Sequence, residues 1–135
     1  CCMFKNGKES HTNNVQLGKN GRYRTNVWQY AGVNAFGRHR SDIQMHPTVK
    51  PVEMLKDAIL DVTRRGDGVL DTFLGSGSTL IAAHQSKRIC YGIELEPLYV
   101  DTAIRRFLEM FHIDAVHQVS GKTYSELLTA KREVS

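Results

Sequence analysis

Three polar features in the second half of the chain could together bind a small charged ligand. Gly75-Ser76-Gly77 lies between an apolar segment and a helical one, where glycines let the backbone turn tightly and approach a ligand. Asp71 lies four residues before Gly75, and Glu94 lies nineteen residues after it. An acidic residue at the end of the second strand of a nucleotide-type site accepts hydrogen bonds from ribose hydroxyls. A glycine turn alone is also common for structural reasons, and Glu96 is an alternative to Glu94.

The aspartate indicates which ligand the loop would accept. A carboxylate within the apolar segment around Asp71 would cost several kcal/mol if unpaired, so it needs loop amides or a cationic ligand. In a dinucleotide site the loop holds a pyrophosphate, which a neighbouring aspartate would repel. The third glycine of the dinucleotide pattern is also replaced, by Leu80. S-adenosylmethionine has no phosphate and carries a sulfonium and an ammonium, so the residues favour it over NAD.

The segments that must position these residues alternate between helical and strand patterns. A helix is predicted from Pro51 to Arg65, because Val52, Leu55, Ile59 and Val62 share one face and Gly66 follows. Further elements are predicted as buried strands at 69–74 and 88–94, helices at 78–85 and from Pro97, and a short helix near 123–131. This order predicts an α/β fold with parallel strands joined by a right-handed crossover.

Composition and charge restrict the class of protein. With 41% hydrophobic and 24% charged residues, the chain has a globular composition. Residues 1–45 carry seven Lys and Arg against two acidic residues, a net of +5, and the remainder carries eleven against twelve, a net of −1. Cys1, Cys2 and Cys90 form no disulfide or metal pattern, and Cys90 is interpreted as a core residue. Without a signal peptide or an apolar run of about 20 residues, a cytoplasmic protein is expected.

Three sequence boxes resemble DNA N6-adenine and N4-cytosine methyltransferases. The segment from Asp71 to Thr79, Asp-Thr-Phe-Leu-Gly-Ser-Gly-Ser-Thr, is similar to their Asp-Pro-Phe-x-Gly-Ser-Gly-Thr-Thr signature, with departures at Thr72 and Ser78. His46-Pro47-Thr48-Val49-Lys50-Pro51 resembles their His-Pro-(Thr/Ala)-x-Lys-Pro segment. The strand Gly92-Ile93-Glu94-Leu95 matches a third box, and the likeness is firm over 46–108. The residues 26–30 look more loosely like the partition-protein-like DNA methylases, a circularly arranged subgroup.

The resemblance implies a partial Rossmann-like methyltransferase fold and a pocket for S-adenosylmethionine. Asp71 and the loop backbone would hold the methionine end, Glu94 the ribose, and Phe73 a wall near the adenine or the sulfonium. The His-Pro segment would cover the site. The implied cofactor-binding residues are His46, Pro47, Thr48, Lys50, Pro51, Asp71, Phe73, Gly75, Ser76, Gly77, Ser78, Thr79 and Glu94. His46 has no partner at metal-ligand spacing, so a metal site is not expected.

The family's catalytic signature is (Asp/Asn/Ser)-Pro-Pro-(Tyr/Phe/Trp). It has no counterpart in this sequence, because the three prolines, at 47, 51 and 97, are not adjacent to one another. That box holds the flipped base by its exocyclic nitrogen. In the circularly arranged subgroup it precedes the His-Pro segment. We therefore expect no catalytic residue here and no turnover by the chain alone. Since the first residue is not Met, a piece of a longer chain is expected, although Met3 could be an internal start.

The basic front of the chain is the predicted site of contact with double-stranded DNA. Arginines and aromatic residues occur together there, as on nucleic-acid surfaces, and short strands are expected at 2–5 and 26–30. The proposed phosphate contacts are Arg22, Arg24, Arg38 and Arg40, although a solvated basic loop would have the same charge. Trp28 is interpreted as a packing residue.

The predicted organisation has three parts. Residues 1–45 would end a target-recognition region, 46–111 would form the cofactor-binding α/β unit, and 112–135 would be an extension. The expected partners are DNA and either a second copy in a homodimer or a missing N-terminal part, with no membrane. A non-catalytic remnant that binds cofactor or DNA is the main alternative, and a nucleotide-dependent oxidoreductase is less well supported. The target base is left open.

Overall fold

The computed structural model describes residues 6–16, 18–19, 25, 27–30 and 49–133. The predicted strand at 2–5 lies outside these residues, and the predicted strand at 26–30 is wrong for 27–30, which form no regular structure. Side chains rather than a backbone ladder place this segment. The Tyr30 hydroxyl donates to Asp57 Oδ2 at 2.6 Å. The ring of Trp28 meets that of Tyr30 edge-on, with centroids 6.3 Å apart, as expected of a packing residue.

The first helix, α1, spans Val52–Val62. Pro51 has an extended backbone with ψ of 125° and therefore precedes the helix instead of occupying its first position. The helix also ends before Arg65, because Thr63 is extended and the Asp67 carboxylate accepts the N–H of Arg64 at 2.7 Å in a tight turn. Gly66 follows with φ of 86°, as its type predicted.

The sheet contains two parallel strands within the described residues, β1 (Gly68–Asp71) and β2 (Ile89–Gly92). Helix α2, Ser78–Gln85, connects them and matches its predicted bounds. Both strands are shorter than the predicted 69–74 and 88–94. After Asp71 the chain turns into the glycine loop, and the Leu74 N–H returns to the extension of the second strand, donating to the Ile93 carbonyl at 3.0 Å.

Helices cover one face of this sheet. Ile59, Ala82 and Ala83 form a buried cluster, against which Val69 and Cys90 pack from the sheet. Cys90 therefore faces the core, as the sequence predicted.

No helix of the described residues covers the opposite face of the sheet. Leu70 is 65% exposed and Tyr91 is 59% exposed, and Ile89 and Ile93 are exposed beside them. The prediction of buried strands is wrong for this face, because the described helices form a layer on one side only. Parallel sheets in α/β proteins are normally covered on both faces, which is why the apolar strands indicated burial.

Two further helices complete the described fold, α3 (Pro97–Phe111) and α4 (Tyr124–Glu133). Helix α3 packs against α2 through the ring of His84, which lies against Phe107 and Phe111 with centroids 4.9 and 4.3 Å away. Ala103 of α3 is 2% exposed and lies close to Gly77, just before α2. Helix α4 lies within two residues of its predicted bounds. No helix within the described ranges is both long and apolar enough to cross a membrane.

A reciprocal pair of hydrogen bonds begins α4. The Glu126 carboxylate accepts the backbone N–H of Thr123 at 2.7 Å, and the Thr123 hydroxyl accepts that of Glu126 at 3.2 Å. The hydrogen bonds that the Thr123 N–H and the Thr123 hydroxyl donate to the Glu126 carboxylate lower its pKa.

Candidate cofactor-binding site

The glycine loop leaves the carboxyl end of β1 and turns into α2. Gly75 and Gly77 have φ of 54° and 80°, and the Gly77 N–H closes the turn by donating to the Leu74 carbonyl at 3.1 Å. A Cβ at Gly77 would lie 2.8 Å from the Cβ of Ala103 on α3. Both the backbone conformation and the close approach of α3 therefore require glycine at this position.

Two carboxylates lie beside the loop because the strands that carry them are parallel. Asp71 pairs with Gly92 in the sheet, and Glu94 follows two residues later. Glu94 Oε2 accepts the Gly75 N–H at 2.7 Å, so the end of the second strand is hydrogen-bonded to the loop after the first. The alternative, Glu96, instead caps α3 by accepting the Leu98 N–H at 3.2 Å. The structure thus joins Glu94, and not Glu96, to the loop.

Asp71 satisfies the expectation that its charge needs a partner. Its Oδ1 accepts the N–H of Phe73 at 3.0 Å, and the side chain is half-buried at the end of β1. Asp71 also acts on its neighbour in the sheet. Burial raises the pKa of the Cys90 thiol, and the negative charge of Asp71 raises it further. Cys90 is therefore held as a neutral thiol, unlike a reactive nucleophile.

The loop residues differ sharply in exposure. Ser76 and Ser78 are 6% and 5% exposed, whereas the ring of Phe73 is 88% exposed and free to contact a ligand. Ser78 Oγ is buried without a hydrogen-bond partner at the first residue of α2. Buried hydroxyls are normally paired, so an unpartnered one at the edge of the loop is consistent with a polar ligand.

A groove of about 340 Å³ runs beside the first strand, between it and α1. Its lining is apolar along α1 and includes Asp71 and Thr79 at the end near the loop. The groove therefore extends from the apolar residues of α1 to the Asp71 carboxylate beside the glycine loop.

Most of the predicted cofactor residues meet at one end of the sheet. Asp71, Phe73, Gly75, Ser76, Gly77, Ser78, Thr79 and Glu94 all belong to this strand-loop-helix unit or contact it. Lys50 and Pro51 are described at the start of α1, exposed and half-buried respectively. His46, Pro47 and Thr48 lie outside the described residues, and so do the four arginines predicted to contact DNA, Arg22, Arg24, Arg38 and Arg40. In the part of the chain that the structure describes, no three potential metal ligands cluster.

One contact to the loop was missed from the sequence. The Arg106 guanidinium donates from Nη1 to the Ser76 carbonyl and, at 3.0 Å, to the Ser76 hydroxyl. The available signal was its spacing, since Arg106 lies three residues after Ala103 and so shares its helix face.

Comparison with known proteins places the chain in a family. A family model described as DNA methylase matches residues 3–105. The chain is 36% identical over 100 residues to the type II methyltransferase M.BglII of Bacillus subtilis. The aligned residues cover 74% of this chain and 26% of that protein. The chain therefore spans about a quarter of the length of that relative.

Two solved structures are also similar. The PvuII DNA methyltransferase, a cytosine-N4-specific enzyme, is 27% identical with a TM-score of 0.55, over 63% of this chain and 32% of the other. M1.HpyAVI, solved as its SAM complex, is 39% identical with a TM-score of 0.44, over 46% and 32%. The α/β arrangement with a parallel sheet agrees with the likeness to the PvuII enzyme. The chain belongs to the N6-adenine and N4-cytosine DNA methylase family, whose cofactor is S-adenosylmethionine.

Proposed function

We propose that this chain is the S-adenosylmethionine-binding portion of a site-specific DNA methyltransferase that modifies adenine N6 or cytosine N4. The observation that carries the proposal is the 2.7 Å hydrogen bond between Glu94 Oε2 and the Gly75 N–H. It joins a strand-end carboxylate to a glycine loop at the edge of the sheet where α/β proteins bind nucleotide-like ligands.

The residues present fit the chemistry of this cofactor. The carboxylate of Glu94 would accept hydrogen bonds from the ribose hydroxyls, as the acidic residue at the end of the second strand does in nucleotide-type sites. The negative charge of Asp71 would face the ammonium and the sulfonium. The exposed ring of Phe73 would lie against the adenine or the sulfonium.

The start of α2 would receive the carboxylate of the methionine part. A helix N-terminus carries a partial positive charge and unpaired N–H groups, which favour an anionic group. The buried, unpartnered Ser78 Oγ would gain a hydrogen-bond partner there. The predicted roles of His46, Pro47, Thr48, Lys50 and Pro51 in covering the site belong to the same proposal.

The whole enzyme's activity would require more than the described site. The bound cofactor supplies an electrophilic methyl group, which a base amine displaces directly. In this chain the loop, Asp71 and Glu94 would bind and orient the donor, while the Pro-Pro-aromatic box that positions the amine is absent from its sequence. We therefore propose that the chain alone does not turn over, and that the basic arginines at 22, 24, 38 and 40 contact DNA phosphates.

Calorimetric titration of the chain with S-adenosylmethionine and with NAD tests the cofactor assignment. We expect binding of S-adenosylmethionine only, and heat with NAD alone would contradict it. The affinity of the Glu94→Ala variant for S-adenosylmethionine should fall at least about ten-fold, which corresponds to the loss of about one charge-assisted hydrogen bond. Glu96→Ala is the matched control, since Glu96 caps α3 and does not reach the loop. Equal losses in both folded variants would remove the ribose role of Glu94.

Transfer of a radiolabelled methyl group to unmethylated duplex DNA tests the catalytic part. We expect no incorporation by the chain alone. Sustained incorporation would show that another segment supplies the base-positioning residues. Binding of the cofactor and of DNA without incorporation, even when the rest of a related enzyme is supplied, would favour the non-catalytic module.

A further inference from the structure

The glycine loop is hydrogen-bonded by side chains from two other segments of the fold. Glu94, after β2, accepts the Gly75 N–H at 2.7 Å. From α3, Arg106 Nη1 donates to both the carbonyl and the hydroxyl of Ser76. Adjacent loop residues are therefore held by side chains from different parts of the fold.

Helix α3 also supports the loop by direct packing. The approach is so close that a Cβ at Gly77 would lie 3.2 Å from the Cα of Ala103 and 2.8 Å from its Cβ. Arg106 lies three residues further along the same face, is half-buried, and reaches the residue preceding Gly77. Ser76 is itself 6% exposed, so its carbonyl obtains this hydrogen bond where water has little access.

We propose that Arg106 is a positioning residue for the cofactor loop. Given the proposed function, it would act by holding the Ser76–Gly77 peptide in the conformation that accepts S-adenosylmethionine. Glycine has the largest conformational freedom to lose, so a loop with Gly75 and Gly77 needs external contacts to be ordered before the ligand arrives. A loop ordered in advance does not subtract its ordering entropy from the affinity. Arg106 would contribute without touching the cofactor.

Guanidinium geometry explains why arginine suits this task. Its rigid, planar group presents several N–H donors and remains charged at all relevant pH values. One nitrogen, Nη1, serves both oxygens of Ser76. A lysine at this position would offer donors from a compact ammonium on a flexible stem, and should restore the contact only in part.

The test compares Arg106→Met, Arg106→Lys and the neighbouring control Arg105→Met in the full chain. Arg105 is exposed and donates to the Asp101 carbonyl on its own helix, so its loss leaves the loop contacts intact. We expect the Kd for S-adenosylmethionine to rise about ten-fold in Arg106→Met and to stay within two-fold of the unmodified chain in Arg105→Met. The Kd of Arg106→Lys should lie between those of the unmodified chain and Arg106→Met.

A second readout without ligand separates positioning from general stability. In ¹H–¹⁵N spectra of the free protein, the amide signals of Gly75 and Gly77 should shift or broaden in Arg106→Met and not in Arg105→Met. Unchanged glycine signals with an unchanged Kd, even with a lower melting temperature, would overturn the proposal. If the unmodified chain binds no S-adenosylmethionine, the proposed function fails, whereas these spectra still decide whether Arg106 holds the loop.

Discussion

Replacing Asp71 with Asn removes one negative charge from the candidate site while preserving its shape. Asp71 Oδ1 accepts the Phe73 N–H at 3.0 Å, and an amide oxygen can accept the same hydrogen bond. The turn after β1 should therefore keep its geometry. A change in ligand affinity then reports the charge and not a rearranged loop.

The expected magnitude follows from the position of Asp71. Two unit charges about 4 Å apart interact by about 4 kcal/mol at an effective dielectric constant of 20, and by about 1 kcal/mol in water. Asp71 is half-buried, between these limits, and screening by salt lowers the upper one. We expect a loss of about 1–2 kcal/mol, which corresponds to roughly a five- to thirty-fold weaker Kd for S-adenosylmethionine.

Calorimetry with three ligands assigns the effect to a particular charge. S-adenosylhomocysteine retains the ammonium but lacks the sulfonium, and 5′-methylthioadenosine lacks both. Asp71→Asn should weaken S-adenosylmethionine most and leave 5′-methylthioadenosine within two-fold. An equal loss for all three ligands would indicate a distorted loop, and unchanged binding of S-adenosylmethionine in a folded variant would refute the electrostatic role.

The same variant has an internal check that needs no ligand. The pKa of the Cys90 thiol is raised by burial and then by the charge of Asp71. In Asp71→Asn the pKa of Cys90 should fall toward its usual value, so alkylation should begin at lower pH. A pH profile identical to that of the unmodified chain would show that the Asp71 charge does not act on this region.

Two further predictions concern stability. Gly77→Ala combines a left-handed backbone with a clash against Ala103, so it should lower the free energy of unfolding by about 2–4 kcal/mol in chemical denaturation. Gly66→Ala, with φ of 86° and open space around its Cβ, should lower it only by the backbone part, about 1–2 kcal/mol. Equal losses in the two variants would argue against the clash. The hydrogen bonds from Thr123 lower the pKa of Glu126, so their stabilisation of α4 is present above the ordinary glutamate pKa and lost as pH falls through the lowered one. Helical circular dichroism of the unmodified chain should therefore decrease in acid more than that of Glu126→Gln, and parallel curves would argue against this cap.

Local sequence signals predicted the order and type of the elements well. Apolar spacing located α1, and the Gly/Ser loop located the start of α2 at Ser78. Glu94 was predicted to bind a ribose from its place at the end of the second strand, and its hydrogen bond to Gly75 shows that it lies beside the glycine loop. These features depend on residues close in sequence, or on a general rule of sheet geometry.

Features that depend on distant packing were not predictable in the same way. Arg106 lies thirty residues from Ser76, and its spacing from Ala103 places it on the inner face of α3 without revealing that it reaches the loop. Strand shortening after Asp71 arose from the side chain capturing the Phe73 N–H, a competition that hydrophobic pattern does not reveal. The roles of His46, Pro47 and Thr48, and of the arginines at 22, 24, 38 and 40, remain predictions, since these residues lie outside the described ones.

The open face of the sheet changes how its apolar residues should be interpreted. Hydrophobic stabilisation is proportional to the area removed from water, and Leu70 and Tyr91 keep 65% and 59% of theirs in solvent. The folding free energy of this chain therefore places little demand on the chemical identity of these two side chains. Polar replacements on this face would be nearly neutral for the isolated chain, so tolerance to substitution would differ between the two faces of one strand, with Val69 sensitive and Leu70 permissive.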